Sequence, residues 1–218
     1  MLAAAICMAA CNNSKKTDVQ QRSNTDTTAT NPTENIFSNQ TPAMPDSATM
    51  AQAMKAWEDF AKPGAEHAWM ATQTGTWVCD SIKQWMDPNQ PPAISSATEK
   101  ITMAINGLYQ MTDFTGNMMG QPFTGHAMMG FDKMKKKFVL SWIDNMGSGI
   151  VHMEGLYNDA TKTLNLSGTQ SDPGQQKETA LRQEIVFDTQ ASFIMRMYGT
   201  GFDGKEAKFM EGTFKRKK

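Results

Sequence analysis

From residue 75 to its end the chain alternates apolar and polar positions with a period of two, in short runs broken by turn residues. The runs fall at 76–86, 95–105, 108–117, 123–131, 137–144, 149–157, 163–170, 178–188, 192–200 and 207–215. Asn106-Gly107 is a strong two-residue hairpin signal. Asp132-Lys133, Asn158-Asp159, Asp172-Pro173-Gly174, Asp188-Thr189 and Asp203-Gly204 supply the side chains that bend a backbone locally. A Pro-rich stretch at 86–92 predicts one longer loop. No helical pattern interrupts the series, and short gaps oblige each strand to pair antiparallel with the next. About ten strands laid out as an open sheet would leave two sticky edges, which closure removes. The pattern therefore predicts an all-β, up-and-down antiparallel barrel of about ten strands, wide enough to hold a ligand or a filling of large side chains.

The period does not say which face is inside. Phe138, Leu140 and Trp142 oppose Val139, Ser141 and Ile143. Phe193, Met195 and Met197 oppose Ile194, Arg196 and Tyr198. Both sets contain apolar residues, so alternation alone leaves the core face open.

Upstream the spacing changes. Met50, Met54, Trp57 and Ala61 recur at helical intervals, and Lys62-Pro63-Gly64 ends that helix. Residues 66–72 extend for one or two further turns, so 48–74 reads as a helical cap for one end of a barrel at 75–218. Residues 12–47 are different again, rich in Thr, Asn, Ser, Gln and Pro with few large apolar side chains. Such a segment buries too little apolar area to offset its chain entropy and is expected to be a disordered tether.

Before it, residues 1–10 (MLAAAICMAA) are small and apolar, and Cys11 follows. Ala9-Ala10-Cys11 resembles the end of a bacterial lipobox, in which the signal is removed and the Cys is acylated on sulfur. Met8 stands where Leu is usual, and the absence of a basic segment points to a start upstream of Met1. The expectation is a membrane partner through a lipid anchor on Cys11, in the bacterial cell envelope, with the tether letting the barrel stand away from the anchor.

The charges sort by segment. Lys15, Lys16 and Arg22 face Asp18, Asp26, Glu34 and Asp46 in the tether, which accounts for the formal net charge of -1. The remainder is neutral, without the basic face of a nucleic-acid binder, so no nucleic-acid partner is expected. With Cys7 in the signal and Cys11 acylated, Cys79 has no partner for a disulfide and reads as a strand residue without chemistry. The 19 methionines are many. Met118-Met119 and Met128-Met129 lie on successive strands; clustered thioethers suit Cu(I), but Met-x-Met repeats with His are lacking apart from Met195-x-Met197. Core filling or an adaptable apolar pocket wall is the preferred reading.

Candidate polar contacts are few. His67, His126 and His152 show no metal-ligand spacing. There is no Gly-x-Ser-x-Gly elbow, P-loop or Cys-x-x-Cys, so neither a metal nor a cofactor is expected. His126 and His152 lie on different strands that can meet in space. Trp142, Asp144 and Asn145 end a strand and enter a Met-Gly turn. There they fit either a barrel mouth that orients a ligand or simple turn formation. Asp113 and Arg196 lie mid-strand among apolar residues. Facing inward they would need each other and could hold a polar head group; facing outward they would sit on the wet face.

The ordered segments His67-Ala68-Trp69, Gly75-Thr76-Trp77, Trp85-Met86-Asp87-Pro88, the run Ser141-Trp142-Ile143-Asp144-Asn145-Met146-Gly147, and Asp203-Gly204-Lys205-Glu206 resemble the uncharacterised bacterial DUF1579 family over about residues 64–217. Ser148 stands where Thr is expected. The resemblance implies a lipocalin-like, calycin-type barrel and no reaction. It also implies that Trp77 packs across the barrel base as a structural residue. The function expected is non-catalytic binding of a small apolar or amphipathic ligand in the barrel. The alternatives are a ligand-free structural or protein-interaction module of the envelope, and an enzyme built around Asp113, His126, His152 and Arg196. The fold cannot choose among them.

Overall fold

The computed structural model describes residues 46–118 and 120–218. The signal, Cys11, most of the tether and Met119 lie outside the described residues. Two helices, α1 (Ser47–Phe60) and α2 (Ala65–Thr72), precede ten strands: β1 (Gly75–Gln84), β2 (Ala93–Ala104), β3 (Tyr109–Met118), β4 (Gln121–Asp132), β5 (Lys137–Asp144), β6 (Val151–Asn158), β7 (Thr163–Asp172), β8 (Lys177–Thr189), β9 (Ser192–Thr200) and β10 (Glu206–Arg216). Each strand pairs antiparallel with its neighbour in sequence, and β1 pairs with β10, so the up-and-down sheet closes into a barrel.

Residues 57–218 form one compact unit and 46–56 belong to another. In the latter, the Asp46 carboxylate accepts from the Thr49 N–H at 2.8 Å as an N-cap. That bond lowers its pKa.

The hairpins share a mechanism visible in the chain. Asp132 Oδ1 accepts from the N–H groups of Met134 and Lys135, and Asn158 Oδ1 from those of Ala160 and Thr161. Asp172 Oδ1 accepts from Gln175 N. In each turn the residue four further on, Lys136, Lys162 or Gln176, has a positive φ. An Asx side chain thus ties the turn at its start, and one left-handed residue restores the register at its end.

Closure decides the faces. Trp77, Ile82, Phe114, Phe138, Leu140, Leu164, Leu181, Phe193 and Phe214 are buried inside. A bulge in β1 between Cys79 and Ile82 lets both point inward although an odd number of bonds separates them. The buried side chains form two clusters, one around Trp77, Phe193 and Phe214, the other around Met70, Phe138 and Leu164.

Helix α2 seats one end of the barrel. Met70 is fully buried in the second cluster. Trp69 packs its ring against Phe138, Tyr157 and Phe187 at centroid distances of 5.2, 4.6 and 5.1 Å. His67 is buried edge-on to Phe131, and its Nδ1 accepts from the Gly64 N–H at 3.0 Å. That bond places the ring proton of neutral His67 on Nε2, and burial lowers its pKa. Helix α1 buries none of its residues.

A second clamp joins the end of α2 to the last strand. Trp77 is fully buried and donates from Nε1 to the Gln73 carbonyl at 2.9 Å. The Arg216 guanidinium lies over its ring, 4.1 Å from the centroid. Arg216 also donates to the carbonyls of Thr72, Thr74 and Gln190. Gly75 makes this possible: its φ is +134°, and a Cβ there would lie 2.8 Å from Arg216 Nη1.

Candidate ligand cavity

The barrel interior is not filled. A cavity of about 130 Å³ lies among members of both clusters, with Ile82, Phe114, Phe123, Leu140, Met153 and Met195 in its wall. Trp69 and Gln73 of the α2 region line it as well. The methionines divide by face. Met118, Met129, Met153, Met195, Met197 and Met210 line the cavity, whereas Met111, Met128 and Met134 are exposed outside. Adjacent residues such as Met128 and Met129 therefore serve opposite faces of one strand.

The chemistry of the cavity is concentrated at Glu99, a residue the sequence reading passed over. In register it stands between Trp77 of β1 and Phe114 of β3. It is 7% exposed and lines the cavity. Among the described residues no hydrogen bond or ion pair reaches its carboxyl group. Burial without a compensating charge pushes its pKa up to about 8. The neighbouring Cys79 thiol is also pushed up, mainly by burial. A signal for Glu99 existed: it shares a face with Ala97, Ile101 and Met103, while Thr98, Lys100 and Thr102 share the other.

The remaining polar wall is mostly amide. Gln110 donates to the Met70 carbonyl at 3.1 Å, a second donor beside the Gln73 N–H, and so ties the end of α2 to β3. Gln84 Nε2 faces the Asn117 carbonyl at 3.5 Å, and Gln183 Nε2 faces Met195 Sδ at 2.9 Å. Among the described residues the Oε1 atoms of Gln84 and Gln183 have no donor. No Lys, Arg or His lines the cavity among the described residues.

The residues singled out from the sequence separate into two groups. Trp142 lines the cavity, stacked on Phe123 at 6.2 Å, and donates from Nε1 to Asp144 Oδ2 at 2.7 Å. Asp144 Oδ1 accepts from Met146 N at 2.8 Å, so the carboxylate holds the indole and the following turn together. Asn145 accepts from Thr124 N and donates to the Pro122 carbonyl, clamping β4. Its side chain is spent on that turn.

Asp113, His126, His152 and Arg196 lie on the outer face, which corrects any inward reading of them. Asp113 and His126 are opposite each other in the β3–β4 register and meet at 2.9 Å with about 60% of each side chain exposed. His152 Nδ1 is 3.0 Å from Ser141 Oγ. Arg196 belongs to an external ladder, bonded to Glu211 at 3.0 Å and near Glu184 at 3.7 Å. In the same ladder Arg182 pairs with Glu184 and Glu206 and lies over Tyr198. The physical reason is the pleat: all four alternate with inward apolar neighbours, and a charge inside would be desolvated at high cost. The Asp113–Arg196 pair does not exist, and the catalytic grouping of these four is not formed around the cavity.

Fold and site together define a closed up-and-down β-barrel around a mainly apolar cavity whose wall carries, among the described residues, one acid, Glu99. The chain belongs to the family described as protein of unknown function (DUF1579), whose pattern matches residues 62–216. The fold is similar to that in the crystal structure of Rv2717c from M. tuberculosis. The two share 11% sequence identity at a TM-score of 0.56, over 72% of this chain and 100% of that one. Identity this low supports likeness of fold alone. No curated protein matches the chain.

Proposed function

We propose that this barrel is a non-catalytic binding protein for a small apolar or amphipathic ligand, carried at the bacterial cell envelope on a lipidated Cys11. The observation that carries the binding reading is the cavity of about 130 Å³ with its mainly apolar and aromatic wall. It approaches in size the apolar cavities of ~150 Å³ that take up benzene. The outward placement of Asp113, His126, His152 and Arg196 supports binding over catalysis, because it takes those four away from the cavity and leaves Glu99 as the one titratable group of the wall among the described residues, without a second acid, base or nucleophile beside it there.

Native mass spectrometry of the protein after gentle extraction tests the reading. A retained small molecule is expected, and it should be lost from Ala127→Phe, which projects a ring into the cavity. Protein that is ligand-free as isolated, and that takes up no small apolar probe in titration, overturns it. The anchor is tested separately by intact mass: acyl chains on Cys11 are expected, and a mature protein without them removes the envelope part of the proposal.

A further inference from the structure

The cavity wall has a definite electrical sense. Its one ionisable lining residue among those described is the Glu99 carboxyl group. It is more than nine-tenths buried and, among the described residues, has neither donor nor counter-charge. The other unmet groups in the wall, Gln84 Oε1 and Gln183 Oε1, are acceptors too. Among the described residues the wall therefore combines an unpaired acid and two unmet acceptor oxygens with no cationic group. A bound fatty acid or other anion would find no Lys, Arg or His among the described lining residues to balance its charge.

Aromatic faces add to this. Phe114, the β3 partner of Glu99, lies 5.5 Å from Phe123 and 6.0 Å from Trp142, ring to ring. Such a cluster beside a carboxylate attracts a cation by its ring quadrupoles.

Building on the binding reading above, we propose that the ligand is a small aryl or alkyl amine, its ammonium group held by the Glu99 carboxylate and its apolar body against the Phe114, Phe123 and Trp142 rings. The pairing is reversible and non-covalent. An amine that enters protonated displaces the Glu99 proton to solvent; one that enters neutral takes that proton onto its nitrogen. Below about pH 8 the carboxyl is protonated in the empty barrel. Uptake of the ammonium form then releases one proton, and affinity should rise up to tenfold per pH unit from 6 towards 8. Cys79 of β1 is the titratable neighbour facing Glu99; Trp77 and Phe114, which flank it in register, are not titratable.

Calorimetric titration of the full chain with phenethylamine, 2-phenylethanol and phenylacetate, three probes of one shape and three charges, tests this. The expected order is amine, then alcohol, then acid. Glu99→Gln, which keeps shape and hydrogen bonding, should weaken the amine roughly tenfold to a hundredfold. It should leave the alcohol within about threefold. Glu99→Leu serves as the second variant, with the same expected loss, and a cooperative melt confirms that each is folded. Equal binding of all three, preference for the acid, or an amine affinity unchanged in both variants overturns the amine assignment while alcohol binding keeps the cavity reading. No binding of any probe overturns both.

Discussion

Replacing Glu99 by Gln should stabilise the empty barrel, and by an amount that depends on pH. In the unfolded chain the Glu99 carboxyl titrates near its ordinary 4.5; in the barrel, burial raises this to about 8. Between those values the folded state holds a proton that the unfolded state has released, so raising pH favours unfolding. At about 1.4 kcal/mol per unit, the interval from 4.5 to about 8 amounts to about 5 kcal/mol. Gln has the same shape and no proton to lose. The variant should therefore match the native chain below pH 4.5 and exceed it by on the order of 3 kcal/mol at pH 7. The difference should level off above pH 8. Urea unfolding of both chains at pH 5, 7 and 8.5 measures this, since every other titrating group is common to the two and cancels to first order. A stability difference that stays constant across those pH values refutes the assignment of Glu99 as a buried, uncompensated acid.

Arg216→Lys keeps the charge but loses the planar stack on Trp77 and the fork that reaches the Thr72, Thr74 and Gln190 carbonyls. It should cost about 2–3 kcal/mol in urea unfolding. Gly125→Ala would put a methyl group 2.2 Å from the Trp142 ring. The indole must shift, breaking its bond to Asp144, and a changed tryptophan emission together with weaker uptake of an apolar probe should report it. Phe214→Ala removes a fully buried ring stacked on Phe193 at 5.0 Å and should cost about 3–5 kcal/mol. His126→Ala breaks only an exposed contact with Asp113, so stability should change by less than about 0.5 kcal/mol and probe binding should not change.

The shared face of Ala97, Glu99 and Ile101 shows where reading the chain by periodicity stops. An acid between apolar residues at i−2 and i+2 was legible, but a single Glu in an alternating strand usually marks the face in water. Only closure of the sheet turned that face inward. The same holds for Asp113 and Arg196. Each sits mid-strand among apolar residues, yet each points out, because both faces of these strands carry apolar side chains and a one-residue shift exchanges them.

By itself the sequence determined the elements and their order. Period-two runs set the strands, Asx and Gly residues set the turns, and short loops left consecutive antiparallel pairing as the only economical topology. Those are local or nearest-neighbour properties, and local chemistry encodes them. Tertiary structure alone decided that the interior is partly empty, that Trp69 and Met70 of α2 close one end, and that Glu99 faces the void. A cavity is the residue of packing among ten strands at once, and no stretch of chain specifies a volume that its distant partners fail to fill.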